Sequence, residues 1–161
     1  MVEELEGKLD PRIKAVWRIS DALWVRIVFA IAIVPGLIAL SSGFDGAGLY
    51  CGVVAAVYAA LLLLFLVVIT PLRYLRWRYH LEPGFLRIVR GIFWRTTTVV
   101  PFIRVQNTDT KQGPILRAFG LASVTVSTAA GAVEIPGLAS DEADVVRDRA
   151  AEFARIARED V

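Results

Sequence analysis

The feature that most constrains this chain is an uncharged apolar run, LYCGVVAAVYAALLLLFLVVI, at residues 49–69. A bilayer core is roughly 30 Å thick, and a helix of about 20 apolar residues crosses it. Another apolar run, LWVRIVFAIAIVPGLIAL at residues 23–40, precedes it and carries one charge, Arg26. The two runs predict a hairpin of transmembrane helices at 23–40 and 49–72, joined by a short extracytoplasmic loop at 41–48.

The first run has a second interpretation, a cleaved signal peptide. Twenty-two residues precede it, no small-residue cleavage pattern follows it, and the next apolar run begins after eight residues. These features favour a membrane anchor. Arg26 would cost about 2.5–3.5 kcal/mol at mid-bilayer, but near a helix end its side chain reaches the headgroups at a much lower cost.

The residues that flank the hairpin predict its orientation. The connector SSGFDGAG has no Lys or Arg, whereas both outer flanks are basic: Lys8, Arg12, Lys14 and Arg18 before it, and Arg73, Arg76 and Arg78 after it. By the positive-inside rule both termini face the cytoplasm, which predicts a multi-pass protein of the cell inner membrane. Residues 1–22 are then an N-terminal cytoplasmic segment, and residues 73–161 are a cytoplasmic domain.

Aromatic side chains also flank the two spans, as is typical where helices leave the hydrocarbon. The expected interfacial belt comprises Trp17, Trp24, Tyr74 and Trp77.

Two features concern how the spans pack. Pro35-Gly36 interrupts the first run, either as a functional hinge or as a kink that packing tolerates. Small residues recur at every fourth position of the second run, and this small-residue stripe comprises Gly48, Gly52, Ala56 and Ala60. Such a stripe allows another helix to approach closely. That helix is either the first span of the same chain or a span of another protein.

The segment after the spans shows the pattern of short strands. WRYHL, FLRIVRG, IFWRTTTVV, IRVQNTDT, LASVTVSTA and AVEIPG are separated by turn signals such as EPG, KQGP and AAG. LASVTVSTA alternates as a half-buried strand does, with Ala122, Val124 and Val126 opposite Ser123, Thr125 and Ser127. ILRAFG predicts a short helical turn that Gly120 ends.

The chain closes with an amphipathic helix at residues 140–160, where Ser140 is a candidate cap and Asp141 and Glu142 suit the N-terminal dipole. Its predicted apolar stripe comprises Ala143, Val146, Ala150, Phe153 and Ala157. The fold class is therefore a membrane helical hairpin plus an α+β cytoplasmic domain, with about seven short strands in a small barrel or curled sandwich.

These motifs resemble a known family. Two spans, the run VPFIRVQNTDTKQGPILRAFGLASVTVSTAAG, the segment IPGLASDEA and a closing helix are similar to the bacterial membrane-flanked PH-like domain family of YdbS type. The residues that carry the resemblance are Pro101, Arg104, Gln106, Gln112, Gly113, Arg117, Gly120, Ile135 and Pro136. The resemblance implies a PH-like split β-barrel with a C-terminal helix and no known enzyme activity. It also implies an association with paired membrane proteins and with envelope stress or peptide resistance.

The polar stretch IRVQNTDTKQGPILRAFG raises the question of a phosphate cradle. It lacks the G-x-x-x-x-G-K-[ST] pattern of a P-loop, so Lys111, Gln112 and Gly113 are interpreted as a corner between a strand and a helix. Two roles are open for Arg104 and Gln106: contact with a ligand, or hydrogen bonding to backbone groups of the same chain. His80 is the only histidine and has no nucleophile or metal-ligand cluster beside it. We therefore expect no catalytic, cofactor or metal site.

Charge is uneven along the chain. Residues 73–117 hold nine Lys and Arg against two acids, and residues 118–161 hold four Arg against eight acids. Anionic lipid attracts each basic side chain near the surface by about 1 kcal/mol. The candidate membrane-surface contacts are Arg73, Arg76, Arg78, Arg87, Arg90 and Arg95. Interleaved aromatics suited to base stacking are lacking, so a membrane surface or an acidic partner is favoured over nucleic acid.

Two functional hypotheses follow from the sequence. In the first, a non-enzymatic two-span protein assembles, through its cytoplasmic PH-like domain, with another membrane protein or a second copy of itself. In the second, the domain binds anionic lipid or a small ligand at the membrane surface. Fold resemblance alone does not separate them.

Overall fold

The computed structural model describes residues 5–159. The chain divides into two compact units. One is a helical hairpin, Trp17–Leu72, and the other joins the chain up to Val16 with the chain from Arg73 onwards. The predicted boundary put residues 1–22 outside the domain, but the described part of that segment up to Val16 belongs to it.

The hairpin consists of two helices, each long and apolar enough to cross a membrane. Helix α1 spans Ile13–Ser41 and starts ten residues before the predicted span. Helix α2 spans Ala47–Leu63 and continues through a π-helical turn, Leu64–Ile69, into α3, Thr70–Leu75. The hydroxyl of the buried Thr70 donates to the Phe65 carbonyl (2.9 Å), which satisfies a backbone group at the π-helical turn.

The two helices approach closely at Gly36. A Cβ atom there would lie 2.5 Å from Tyr50 Cδ1 and 2.8 Å from Cys51 Sγ, so only glycine fits. Close by, the Tyr50 hydroxyl donates to the Ala32 carbonyl (2.8 Å), and the Phe29 and Tyr58 rings lie 4.3 Å apart. This geometry supports the packing interpretation of Pro35-Gly36.

The second unit contains two antiparallel sheets. The first has the order β1-β2-β3-β4, with β1 at Leu5–Gly7, β2 at Arg78–Glu82, β3 at Phe85–Arg90 and β4 at Thr96–Pro101. The second has the order β5-β6-β7, with β5 at Val105–Lys111, β6 at Leu121–Thr128 and β7 at Gly131–Ala139. A 3₁₀ turn at Phe102–Arg104 separates the sheets along the chain.

The strand prediction needs one correction. Within residues 5–159, six strands follow the hairpin, and a further strand, β1, comes from the N-terminal segment and pairs with β2. A strand of three residues has too little periodicity to be recognised from sequence, and its partner lies more than 70 residues away along the chain.

Further contacts bind the N-terminal segment into this unit. The Asp10 amide donates to the Gly137 carbonyl (3.0 Å), and the Tyr74 hydroxyl donates to the Leu9 carbonyl (3.1 Å). Gly137 has φ +63°, and a Cβ atom there would collide with the buried Ile13 side chain. Both conditions favour glycine, so the start of α1 is fitted to strand β7.

Strand β6 is buried on both faces. Ser123 and Thr125, on its polar side, are only 2% and 5% exposed. The alternation typical of a half-buried strand was therefore misleading here. Small hydroxyl side chains fit a covered face, although the Thr125 hydroxyl has no hydrogen-bond partner among the described residues.

The last helix, α5, spans Ser140–Glu159. Its buried face comprises Ala143, Val146, Ala150, Phe153 and Ala154, so Ala154 takes the place predicted for Ala157. The Phe153 ring lies 5.5 Å from the Phe102 ring, and Arg158 Nη2 donates to the Val105 carbonyl (2.7 Å). The helix is thus fixed to the chain between the two sheets.

Tyr79 links the first sheet to α5. Its ring is buried, and its hydroxyl donates to Glu142 Oε1 (3.0 Å). Burial, together with the neighbouring Glu142 carboxylate, raises the pKa of Tyr79 above its usual value, so this hydroxyl remains a donor. The backbone of Gly7, on β1, lies directly against the Tyr79 ring.

We predict that Gly7→Ala destabilises the second unit by about 1–3 kcal/mol, because the new methyl group would collide with the ring of Tyr79, which is buried and hydrogen-bonded to Glu142. Gly113→Ala is the matched control, since a Cβ atom there meets nothing within 4 Å and its φ is −74°. Thermal unfolding of the solubilised protein measures both. Equal unfolding temperatures would contradict the placement of β1.

Candidate functional site

The polar corner KQGP, residues 111–114, has a structural role: its glutamine connects three elements through hydrogen bonds. Gln112 Nε2 donates to the Leu121 carbonyl (2.9 Å) and to Ser140 Oγ (3.1 Å). Ser140 Oγ donates in turn to the Gly120 carbonyl (3.1 Å). The predicted cap of α5 therefore holds together the corner after β5, the start of β6 and the start of α5.

The other family-motif residues surround this corner or lie apart from it. Helix α4 spans Pro114–Ala118, as predicted, and Gly120 follows it with φ +64°. Arg12 braces the same turn, because its Nη1 donates to the Phe119 carbonyl (3.0 Å) while Asp10 holds its guanidinium. The hydrogen bond from Arg12 lowers the pKa of Asp10. Among the remaining motif residues Ile135 is buried, Pro136 is half-buried, and Pro101, Gly113 and Arg117 are exposed.

Arg104 and Gln106 line an open depression of about 640 Å³ beside the start of β5. Both side chains are exposed, and Gln106 lies at an irregularity in the pairing of β5 with β6. Arg158 also lines the depression, and it donates to the Val105 carbonyl. The two alternatives for Arg104 and Gln106, contact with a ligand and hydrogen bonding to backbone groups, both stay predictions.

Three of the six predicted membrane-surface arginines come together. Arg76, Arg78 and Arg95 line one pocket of about 270 Å³ with Leu75, Val89 and Gly91. We call this the arginine pocket. Arg76 follows α3, Arg78 opens β2, and Arg95 ends the turn between β3 and β4, so the pocket depends on tertiary structure. Among residues 5–159, no carboxylate lines it.

The other three arginines lie outside the pocket. Arg87 is exposed on the face of β3 that also carries Val89, with its guanidinium 5.2 Å from the centre of the Phe85 ring. Arg90 is exposed at the end of β3, where it pairs with Thr96. Arg73 is exposed at the start of the unit.

The turn between β3 and β4 holds two residues that the sequence analysis did not select. Phe93 and Trp94 are 82% and 84% exposed, and their rings lie 6.5 Å apart. Trp77, expected in the interfacial belt, is instead buried in the core beside Tyr79. The exposed turn had a signal in the sequence: GIFWR, residues 91–95, begins with a glycine and holds two adjacent aromatic residues before an arginine. The sequence analysis assigned this segment to strands instead.

The small-residue stripe on α2 is exposed along its whole length. Gly48, Gly52, Ala56 and Ala60 all face away from α1, and a Cβ atom at Gly48 or Gly52 would meet nothing within 4 Å. Helix α1 is contacted instead by a different face, which includes Tyr50, Cys51 and Tyr58. Of the two helices considered as partners of the stripe, the first span of the same chain does not cover it.

His80 lies on β2, opposite Arg87, as a strand residue. Within residues 5–159 no group of three or more His, Cys, Asp or Glu side chains is placed to hold a metal ion.

Two helices apolar enough to span a membrane and a strand-rich unit closed by a helix are the features of a membrane protein with a PH-like domain. Comparison with known proteins gives the family. The sequence profile of the bacterial PH domain family matches residues 22–154, and the chain belongs to that family. It is 35% identical over 165 residues to the transmembrane protein YdbS of Bacillus subtilis (strain 168), and the match covers all of both chains. No solved structure matches.

We predict that Gln112→Ala lowers the stability of the PH-like unit by about 1–2 kcal/mol, because two hydrogen bonds at the corner are lost. Gln106→Ala is the control, since that side chain is also exposed but makes no hydrogen bond among the described residues. Chemical denaturation of the solubilised protein distinguishes them. A change at Gln106 as large as that at Gln112 would contradict the structural role of the corner.

Proposed function

We propose that this protein is a non-enzymatic, two-span protein of the cell inner membrane that assembles with another membrane protein or a second copy of itself. The observation that supports this most directly is the exposed stripe of small residues on α2. In the proposal both termini are cytoplasmic, and the two sheets form the split barrel of the PH fold. Envelope stress or peptide resistance is the setting that the family resemblance suggests.

The physical argument rests on how helices associate in lipid. Lipid tails are as apolar as leucine, so the hydrophobic effect does not drive two spans together. Association depends on close packing, which small residues allow because the two backbones can approach each other. The intrachain contact uses Gly36 for this purpose on α1. The stripe on α2 provides a comparable surface that the chain's own first helix leaves open.

A second candidate function is binding of anionic lipid by the PH-like domain. The arginine pocket favours it, because three arginines line the pocket and no carboxylate of the described chain does. This function is compatible with assembly, since the two surfaces lie on different units of the chain.

We predict the topology from the basic flanks. A reporter that is active only outside the cytoplasm should be silent when fused after Val161 and active when inserted at Asp45. A reporter that is active only in the cytoplasm, fused at the same two positions, is the control and should give the reverse pattern. Activity of the first reporter at Val161 would overturn the orientation proposed here.

We predict that Gly52→Ile breaks association without unfolding the chain. The new side chain would project from the stripe into whatever helix packs there, whereas nothing of this chain lies within 4 Å. The protein is purified from gently solubilised membranes, and native mass spectrometry measures the fraction in complex. Thermal unfolding is measured on the same samples.

Gly36→Ile is the matched control for this experiment. It puts the same side chain against Tyr50 and Cys51 within the hairpin, so it should lower the unfolding temperature of the isolated chain. If Gly52→Ile leaves the complex intact, the stripe faces lipid and the assembly proposal loses its main support.

A further inference from the structure

We propose that the arginine pocket and the aromatic turn beside it form a site that binds the phosphate of anionic phospholipid at the membrane surface. The site comprises Arg76, Arg78 and Arg95 around the phosphate, with Phe93 and Trp94 inserted among the headgroups. It makes the lipid-binding candidate function specific and does not depend on assembly through α2.

Charge complementarity favours a phosphate in the pocket. Arg76 and Arg78 come from one stretch of the chain and Arg95 from another, and no acidic residue of the described chain lines the pocket of about 270 Å³ between them. Arg76 Nη1 donates to the Ile92 carbonyl (3.1 Å) and Arg78 Nη1 donates to the Trp77 carbonyl (2.6 Å), so backbone groups hold two of the three in place. Each guanidinium has five donors, so donors are left for phosphate oxygens.

The aromatic turn provides the second, independent observation. Two large aromatic side chains that are more than four-fifths exposed are costly in water, and Trp and Phe are favoured at a bilayer interface. The backbone of this turn has a defined conformation. Gly91 has φ +119°, and a Cβ atom there would collide with the Trp94 carbonyl, so the turn requires glycine. The bond from Arg76 to Ile92 braces the same turn.

The position of the site along the chain identifies the surface that it meets. Leu75, which lines the pocket, is the last residue of a continuous helix of 29 residues, Ala47–Leu75. Such a helix is about 43 Å long and exceeds the hydrocarbon core of roughly 30 Å. Its final turn therefore emerges among the headgroups, and Arg76 follows it directly. An anionic bilayer is thus within reach of the pocket without any partner.

The experiment uses the full-length protein in nanodiscs of phosphatidylcholine with a rising fraction of phosphatidylglycerol. Subtracting the fluorescence of a Trp94→Phe variant isolates the emission of Trp94. We expect this emission to shift to shorter wavelength as the phosphatidylglycerol fraction rises, to be quenched by brominated lipid and to be protected from iodide. If Trp94 stays accessible to iodide in the anionic discs, the proposal is overturned and the turn is a surface for a protein partner.

Substitutions then test the pocket. Arg95→Gln should weaken the apparent affinity for phosphatidylglycerol about fivefold, and adding Arg76→Gln and Arg78→Gln should weaken it by a similar factor each. Arg87→Gln is the control, because this arginine is exposed on the same sheet but does not line the pocket. Arg95→Gln alone keeps the test valid if the triple variant fails to fold. Equal effects of Arg95→Gln and Arg87→Gln would overturn the pocket as the binding site.

Two further measurements complete the experiment. One distinguishes lipid phosphate from soluble phosphate, and the other distinguishes lipid binding from assembly through α2. Inorganic phosphate added to discs of pure phosphatidylcholine should leave the Trp94 emission unchanged. A full shift there would show a site for soluble phosphate and overturn the membrane site. The Gly52→Ile variant should keep the normal response to phosphatidylglycerol, so a failure of assembly is distinguishable from a failure of lipid binding.

Discussion

The structure depends first on the constraint that a bilayer imposes on Ala47–Leu75. A helix of 29 residues satisfies its own backbone hydrogen bonds, which is necessary in hydrocarbon, where no water is present to do so. Its apolar side chains are exposed, which would be costly in water and is favourable in lipid. At about 43 Å the helix is also longer than the roughly 30 Å hydrocarbon core, so part of it must lie outside the hydrocarbon.

The N-terminal segment, which precedes the first helix of the hairpin, also belongs to the PH-like unit. Strand β1 pairs with β2, and Ile13 is fitted against Gly137 before α1 continues into the apolar run. The domain is therefore assembled from chain on both sides of the hairpin. Folding of the domain must bring together residues separated by the whole hairpin, and such contacts carry a larger loop-closure cost than local ones.

Charge in the PH-like unit is divided between two kinds of surface. On α5, Arg147 pairs with Asp144 and Asp148, and Arg155 pairs with Glu152 and Glu159. Arg155 lowers the pKa of Glu152, but these groups are solvent-exposed, and such pairs contribute little to stability. Two arginines of α5 thus pair with four of the acids on the same helix. In contrast, no acidic residue of the described chain lines the arginine pocket, and its charge is what the proposed phosphate site depends on.

The sequence by itself determined the two apolar helices, the short helix that Gly120 ends and the amphipathic α5, because each is a periodic or punctuated pattern within one stretch of chain. Tertiary structure alone decided that β1 joins the first sheet, that Ser123 and Thr125 are covered, and that the stripe on α2 faces away from α1. It also decided that Arg95 meets Arg76 and Arg78, while Trp77 is buried and Trp94 is exposed. Local patterns define which faces of a helix or strand are apolar, whereas the partner of each face depends on contacts between residues far apart in the chain.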